Sequence, residues 1–206
     1  MNNNTFLKPV DFACVGMVTA SCNLSKICIS IDDALLFDVE PLLCMGFMAD
    51  ILTKWQELLN IPTGDPIPEP LKLWHDLIYG STYNNCHDKL QRQLGIKRMW
   101  TYFAYAGYVI LNPFDDTPNG LKYKINEFST PVPIKDLNGL STSYKNKGLE
   151  AFKSIKEFLC LNKDFFTNFD ACDCHLSCGC VGTCSCGSTK KVGTGFRFNT
   201  VKKRTW

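Results

Sequence analysis

Six of the chain's twelve cysteines fall within fifteen positions, as Cys172-x-Cys174, Cys178-x-Cys180 and Cys184-x-Cys186, with His175 inside the cluster. Thiolates and imidazole are the usual ligands of tetrahedral Zn²⁺, with Zn–S near ~2.3 Å. Two cysteines separated by a single residue reach one ion only if the backbone bends sharply, and Gly179, Gly182 and Gly187 permit such bends. The common zinc spacing is wider than Cys-x-Cys, which leaves three states open: bound metal, disulfides and free thiols. Disulfides here would close short loops and contribute roughly 2–4 kcal/mol if unstrained. The segment has almost no large apolar side chain, so it cannot supply a core of its own.

Little else in the chain points to a reaction. His75, His87 and His175 are the only histidines, and none belongs to a catalytic motif. Asp88 reads as the cap of a following helix. Gly193-x-Gly195 lacks the strand and helix that a phosphate-binding loop requires. A thiol redox enzyme would carry Cys-x-x-Cys beside a βαβ unit, and that pattern is missing from the sequence. The reading is therefore of a protein that is not an enzyme.

The 206 residues suffice for one ordinary domain with appendages, and 45% hydrophobic and 20% charged residues are those of a globular protein. A net charge of +2 argues against nucleic-acid binding through overall charge, while a local basic patch stays possible. Residues 1–5 have neither the basic nor the apolar region of a secretory signal, so synthesis in a reducing cytoplasm is expected. The longest apolar stretch, Met99 to Leu111, is too short to span a membrane. In a reducing compartment Cys14, Cys22, Cys28, Cys44, Cys86 and Cys160 are expected as small buried hydrophobes.

The elements that must position these groups are mainly helical. Residues 1–31 lack a helical period and are expected as an N-terminal arm, ahead of a helical domain over 32–168 and a Cys-rich segment with a C-terminal arm over 169–206. A first helix is expected from Asp32–Asp33, acidic residues suited to a helix start, with Pro41 either kinking it or opening a new first turn. It should end before Pro62-Thr-Gly64-Asp-Pro66. Pro70 opens a second, shorter helix through Trp74 and Ile78. A third is expected from about Asp88 to Leu111, with Leu90, Leu94, Met99, Trp100 and Phe103 on its apolar stripe. Its other face presents Tyr102, Tyr105 and Tyr108, so this helix is either central or covered by a neighbouring subunit. Asn119-Gly120 marks a turn before a short exposed strand, Leu121 to Ile125. A fourth helix over about 135–162 is expected to turn Leu140, Tyr144, Leu149, Phe152, Ile155 and Phe158 inward. The expected fold is thus mainly α, a bundle of about four helices with long extended arms and a Cys-rich loop.

Three motifs carry a resemblance. Gly95-Ile-Lys-Arg-Met-Trp-Thr-Tyr-Phe-Ala-Tyr-Ala-Gly-Tyr108 is followed by Thr117-Pro-Asn-Gly120-Leu-Lys-Tyr-Lys, and a lysine-rich helix then closes on Ile155-Lys-Glu-Phe-Leu-Cys-Leu-Asn162-Lys-Asp-Phe-Phe166. Over roughly residues 33–168 this order resembles head–tail connector (adaptor, neck-ring) proteins of tailed phages, particularly crAss-like and other Bacteroides-infecting phages. The resemblance implies a structural virion protein at the head–tail junction, without catalytic residues. It implies a ring, dodecameric in form, that joins portal to tail and lines the DNA channel. The implied partners are the portal protein, neighbouring copies, other neck or tail ring proteins and, non-specifically, packaged DNA. Tyr102, Tyr105 and Tyr108 are then candidates for the subunit interface. The terminal Phe196, Phe198, Lys202, Lys203, Arg204 and Trp206 are candidates for an arm held on the portal by strand addition or aromatic anchoring. The cysteine cluster has no counterpart in that pattern. It keeps a second reading open, a zinc-binding module with Cys172, Cys174, His175, Cys178, Cys180, Cys184 and Cys186 as ligands, acting in nucleic-acid binding or regulation.

Overall fold

A computed structural model of the chain describes residues 6–16, 24–85, 87–118, 120–123 and 132–170. Cys22, Cys86, the cysteine cluster and the expected portal arm lie outside those residues. Among the described residues the protein is mainly α-helical: α1 (Leu24–Ala34), α2 (Glu40–Leu43), α3 (Met45–Leu59), α4 (Glu69–Tyr79), α5 (Ile96–Leu111), α6 (Ile134–Leu161) and α7 (Thr167–Asp170). Two antiparallel hairpins interrupt them, β1 (Ser81–Asn84) with β2 (Leu90–Gln93) and β3 (Phe114–Thr117) with β4 (Gly120–Tyr123).

The chain enters the helical run earlier than Asp32, at Leu24, and the two aspartates sit inside it rather than at its start. Leu35–Val39 form a π-helical turn, in which the Glu40 N–H reaches back to the Leu35 carbonyl. Pro41 follows in the first turn of α2. A proline cannot donate an intrahelical hydrogen bond, and a π turn is one way a helix absorbs such a disturbance. The actual break comes at Cys44, whose φ of 63° separates α2 from α3.

Residues 6–16 fold onto the body. Pro9–Cys14 form a 3-10 helix, and Phe6, Leu7 and Phe12 are buried in the core. Phe6 lies between Trp55 and Trp100, with ring centroids 5.2 and 5.3 Å away. Lys97 on α5 pairs with Asp11 at 3.0 Å and fixes the same segment from the polar side. Each such buried aromatic or aliphatic side chain contributes about 1.5–3 kcal/mol relative to exposure, which is why a short segment stays attached.

The third expected helix is shorter than the apolar spacing implied. Residues 81–93 instead make the β1–β2 hairpin, in register Ser81↔Gln93 through Asn84↔Leu90, and Leu90 is 72% exposed. Asp88 is no helix cap. It occupies the hairpin loop at φ 54°, while the Asn85 side-chain oxygen accepts hydrogen bonds from the His87 and Lys89 N–H groups. Helix α5 begins only after Gly95. Gly95 (φ 83°) and Gly80 (φ 96°) pass backbone against backbone, and a Cβ on Gly95 would stand 2.5 Å from the Gly80 nitrogen. Gln93, fully buried, locks this crossing. Its amide nitrogen donates to the Asp76 carbonyl and the Ser81 hydroxyl, and its oxygen accepts from Gly95 N–H at 2.7 Å.

Helix α5 is central. It packs along α6 on one flank and α1 on another, with α4 and the 3-10 segment also against it. The inner stripe of α6 runs through Leu137, Ser141, Gly148, Ala151, Phe152, Ile155, Phe158 and Leu159. Leu140 and Leu149, expected inside, are 45% and 43% exposed. Ser141, Gly148 and Ala151 hold the inner positions where α5 comes close: a Cβ at Gly148 would meet the Phe103 ring at 2.7 Å. The aromatic end of the core joins Phe47, Trp74, Phe158, Phe166 and Phe169. None of the four described cysteines is fully buried; Cys14 and Cys28 are exposed, and Cys44 and Cys160 are half-buried. No helix among the described residues is long and apolar enough to cross a membrane.

Candidate functional site

The polar face of α6 is the floor of a groove whose opposite wall is the β1–β2 hairpin. Its volume is about 790 Å³, and Arg92, Leu94, Tyr102, Ser143, Asn146 and Lys147 are among its lining residues. A second depression shares Arg92, Leu94 and Tyr102 and extends the groove past Arg98 to Ser81 and Thr82. Glycine at 139 keeps part of this floor open, since a Cβ there would meet nothing within 4 Å.

The groove is electropositive. Arg92, Arg98 and Lys147 have no carboxylate partner among the described residues, and the one lining carboxylate, Glu150, pairs with Lys153 at 2.5 Å. Two of the three cations rest on aromatic rings. The Arg98 guanidinium lies 5.3 Å from the Tyr102 ring centre, and the Lys147 ammonium lies 4.3 Å from that of Tyr144. Such contacts hold a cation in place without neutralising it, leaving its charge available to an anionic partner.

Those rings belong to a tyrosine ladder between α5 and α6. Tyr144 meets Tyr105 edge-on at 4.6 Å and Tyr102 at 6.4 Å, and Tyr105 meets Tyr108 at 6.2 Å. Burial, and secondarily the neighbouring Tyr144, pushes the Tyr105 hydroxyl above the ordinary tyrosine range. Tyr108, expected at a subunit interface, is only 7% exposed and belongs to the core of the single chain. Its side chain is covered because α5 is enclosed by its own neighbours. Tyr102 and Tyr105 are half-buried, and Tyr102 reaches the groove.

A second surface of opposite character lies on α1 and its π turn. Ile29, Asp32, Asp33 and Leu36 are spaced i, i+3, i+4 and i+7, so they share one helix face, and Phe37 follows. Leu36 is 55% exposed and Phe37 73%. Asp32 and Asp33 are both exposed and have no ion pair among the described residues. Asp38, next in line, is held at 3.3 Å by Lys145 on α6. At about 100° per residue, Lys145 points away from the face that carries Ser143, Asn146 and Glu150. Ridge and groove therefore lie on different sides of the helical body.

The remaining histidines make no such site. His75 is half-buried beside Tyr79 and Asp76, and His87 is exposed in the hairpin loop. Among the described residues no group of three or more His, Cys, Asp or Glu side chains is placed to hold a metal. The zinc ligands expected at Cys172–Cys186 and the arm residues Phe196–Trp206 lie outside the described residues. Sequence reading missed Arg92 because it assigned residues 88–95 to a helix. The ridge is hidden in the sequence because Asp32–Asp33 reads there as a helix start, whereas both lie inside α1.

No curated protein and no solved structure matches the chain. A family model described as "Family of unknown function (DUF6712)" matches residues 69–177, which is 109 of 206 residues and includes every residue named above as lining the groove. The chain belongs to this family.

Proposed function

We propose that this chain is a structural subunit of the phage neck, assembled as a ring that joins portal to tail and surrounds the DNA path. The resemblance of the 95–108, 117–124 and 155–166 motifs to head–tail connector proteins motivates the reading. The observation that carries it is the pairing of two unlike exposed surfaces on one helical body, a basic groove and an acidic-apolar ridge. A subunit in a closed ring meets each neighbour through a different patch, so such asymmetry is what ring assembly demands. No residue is assigned a catalytic role. The partners under this reading are the portal protein, further copies of the chain and adjoining neck or tail rings. Packaged DNA would be met only through weak phosphate attraction that salt suppresses.

Co-expression of the full chain with the portal protein tests this, read by mass photometry and negative-stain microscopy. Ring-shaped complexes with several copies of the chain on one face of the portal are expected. A chain that stays monomeric and never joins the portal would defeat the reading. The cysteine cluster favours a second reading, a zinc module in nucleic-acid binding or regulation. Its mark would be stoichiometric zinc together with nucleic-acid binding in the absence of portal; zinc alone fits both.

A further inference from the structure

We infer that the basic groove between the β1–β2 hairpin and α6 receives the α1 ridge of a second copy of the same chain. This rests on the ring reading and names the contact by which the ring would close. The occupant follows from complementarity of charge and shape. The groove offers Arg92, Arg98 and Lys147 without carboxylate partners among the described residues, around the half-buried Leu94. The ridge offers Asp32 and Asp33 without cationic partners, beside the exposed Leu36 and Phe37. Each surface holds what the other lacks, and both use one apolar and one charged component. The ridge is helical, so it would enter as a helix laid in a groove with anchors at i, i+3, i+4 and i+7.

The positions of the two surfaces decide the kind of assembly. Both cannot be satisfied within one chain, because α1 and the polar face of α6 flank α5 on different sides. The contact is therefore head-to-tail between copies. Such an interface closes into a ring when its rotation divides a full turn, and otherwise extends into a filament. Asp32 and Asp33 lie within a continuous helical run from 24 to 43 rather than at a terminus, so no helix end accounts for their charge.

Charge exchange tests the contact. Two full-length variants are made, Arg92→Glu with Lys147→Glu, and Asp32→Lys with Asp33→Lys, each checked for parental helicity by circular dichroism. Self-association of each is followed by sedimentation velocity, alone and with portal. Either variant alone should associate at least about tenfold more weakly than the parent, since like charges would face each other across the contact. An equimolar mixture should recover assembly in alternating order, because each variant's altered surface then meets an opposite charge. A photo-crosslinker at position 37 should mark residues of β2 or α6 in a second copy.

Parental association by both variants, or crosslinks that avoid the groove, would overturn the inference and leave the ring reading standing. A parent chain that never associates, with or without portal, would overturn both. Loss of binding to a DNA duplex by the groove variant, with its self-association unchanged, would assign the groove to nucleic acid and overturn the inference as well.

Discussion

Gly139 and Gly148 stand nine residues apart on α6, on opposite faces, and the same substitution should act on them with opposite sign. At 148 an added methyl would press on the buried Phe103 ring at 2.7 Å. Overpacking of this kind costs about 1–3 kcal/mol, more than the ~1 kcal/mol that alanine returns through helix propensity. Gly148→Ala is expected to lower stability by about 1–2 kcal/mol in urea melts, whereas Gly139→Ala, facing open space, should raise it by roughly 0.5–1 kcal/mol. The tyrosine ladder makes a pH prediction. Tyr105 has a folded pKa raised above its ordinary value of 10.0, through burial first and Tyr144 second. The folded state thus holds that proton more tightly than the unfolded chain. Its contribution is complete below pH 10.0 and is lost as pH rises through the folded value. Alkaline denaturation of Tyr105→Phe should show a shallower loss over that range than the parent, and an unchanged profile would contradict the assignment.

Gln93 matters to the β1–β2 hairpin out of proportion to its size. It ties the end of α4, the start of β1 and the entry to α5 through three hydrogen bonds, and no apolar residue of similar volume can replace them. Gln93→Met should cost about 2–4 kcal/mol by stranding the Gly95 N–H and the Asp76 carbonyl, and should raise hydrogen exchange across residues 81–93. How much of this architecture was legible depends on what each stretch advertised. The bounds of α4 and α6 were readable because Pro70 and the Pro131–Pro133 pair announce their starts. The hairpin was hidden because Leu90 and Leu94 imitate a helical repeat, and only Gly95 betrays the break. On α6 the inward reading holds for Phe152, Ile155 and Phe158 and fails at Leu140 and Leu149, because side-chain size alone does not say which residues face α5. Close helix packing put Ser141, Gly148 and Ala151 on the inner stripe and left Leu140 and Leu149 outside. The groove combines residues from β2, α5 and α6, a tertiary assembly that no local pattern displays.

Taken as one body, the described chain is a helical unit built around α5, with most of its aromatic residues in the core and the groove and the ridge as two exposed surfaces of opposite charge. Two such surfaces are what the proposed ring contact would use. The central place of α5 explains why the 95–108 motif, so rich in tyrosine and tryptophan, serves mainly the interior: most of its large side chains are enclosed by α1, α4 and α6. The function proposed here therefore depends on surfaces outside that motif, and on where the assembled chain sits. Under the neck-ring proposal, cryo-electron microscopy of phage particles whose genome carries this chain addresses this most directly. Copies arranged in a ring immediately tailward of the portal, with the α1 ridge of each seated against the hairpin and α6 of the next, are the expected result. Absence of the chain from particles, or its location on the capsid shell away from the DNA path, would contradict it.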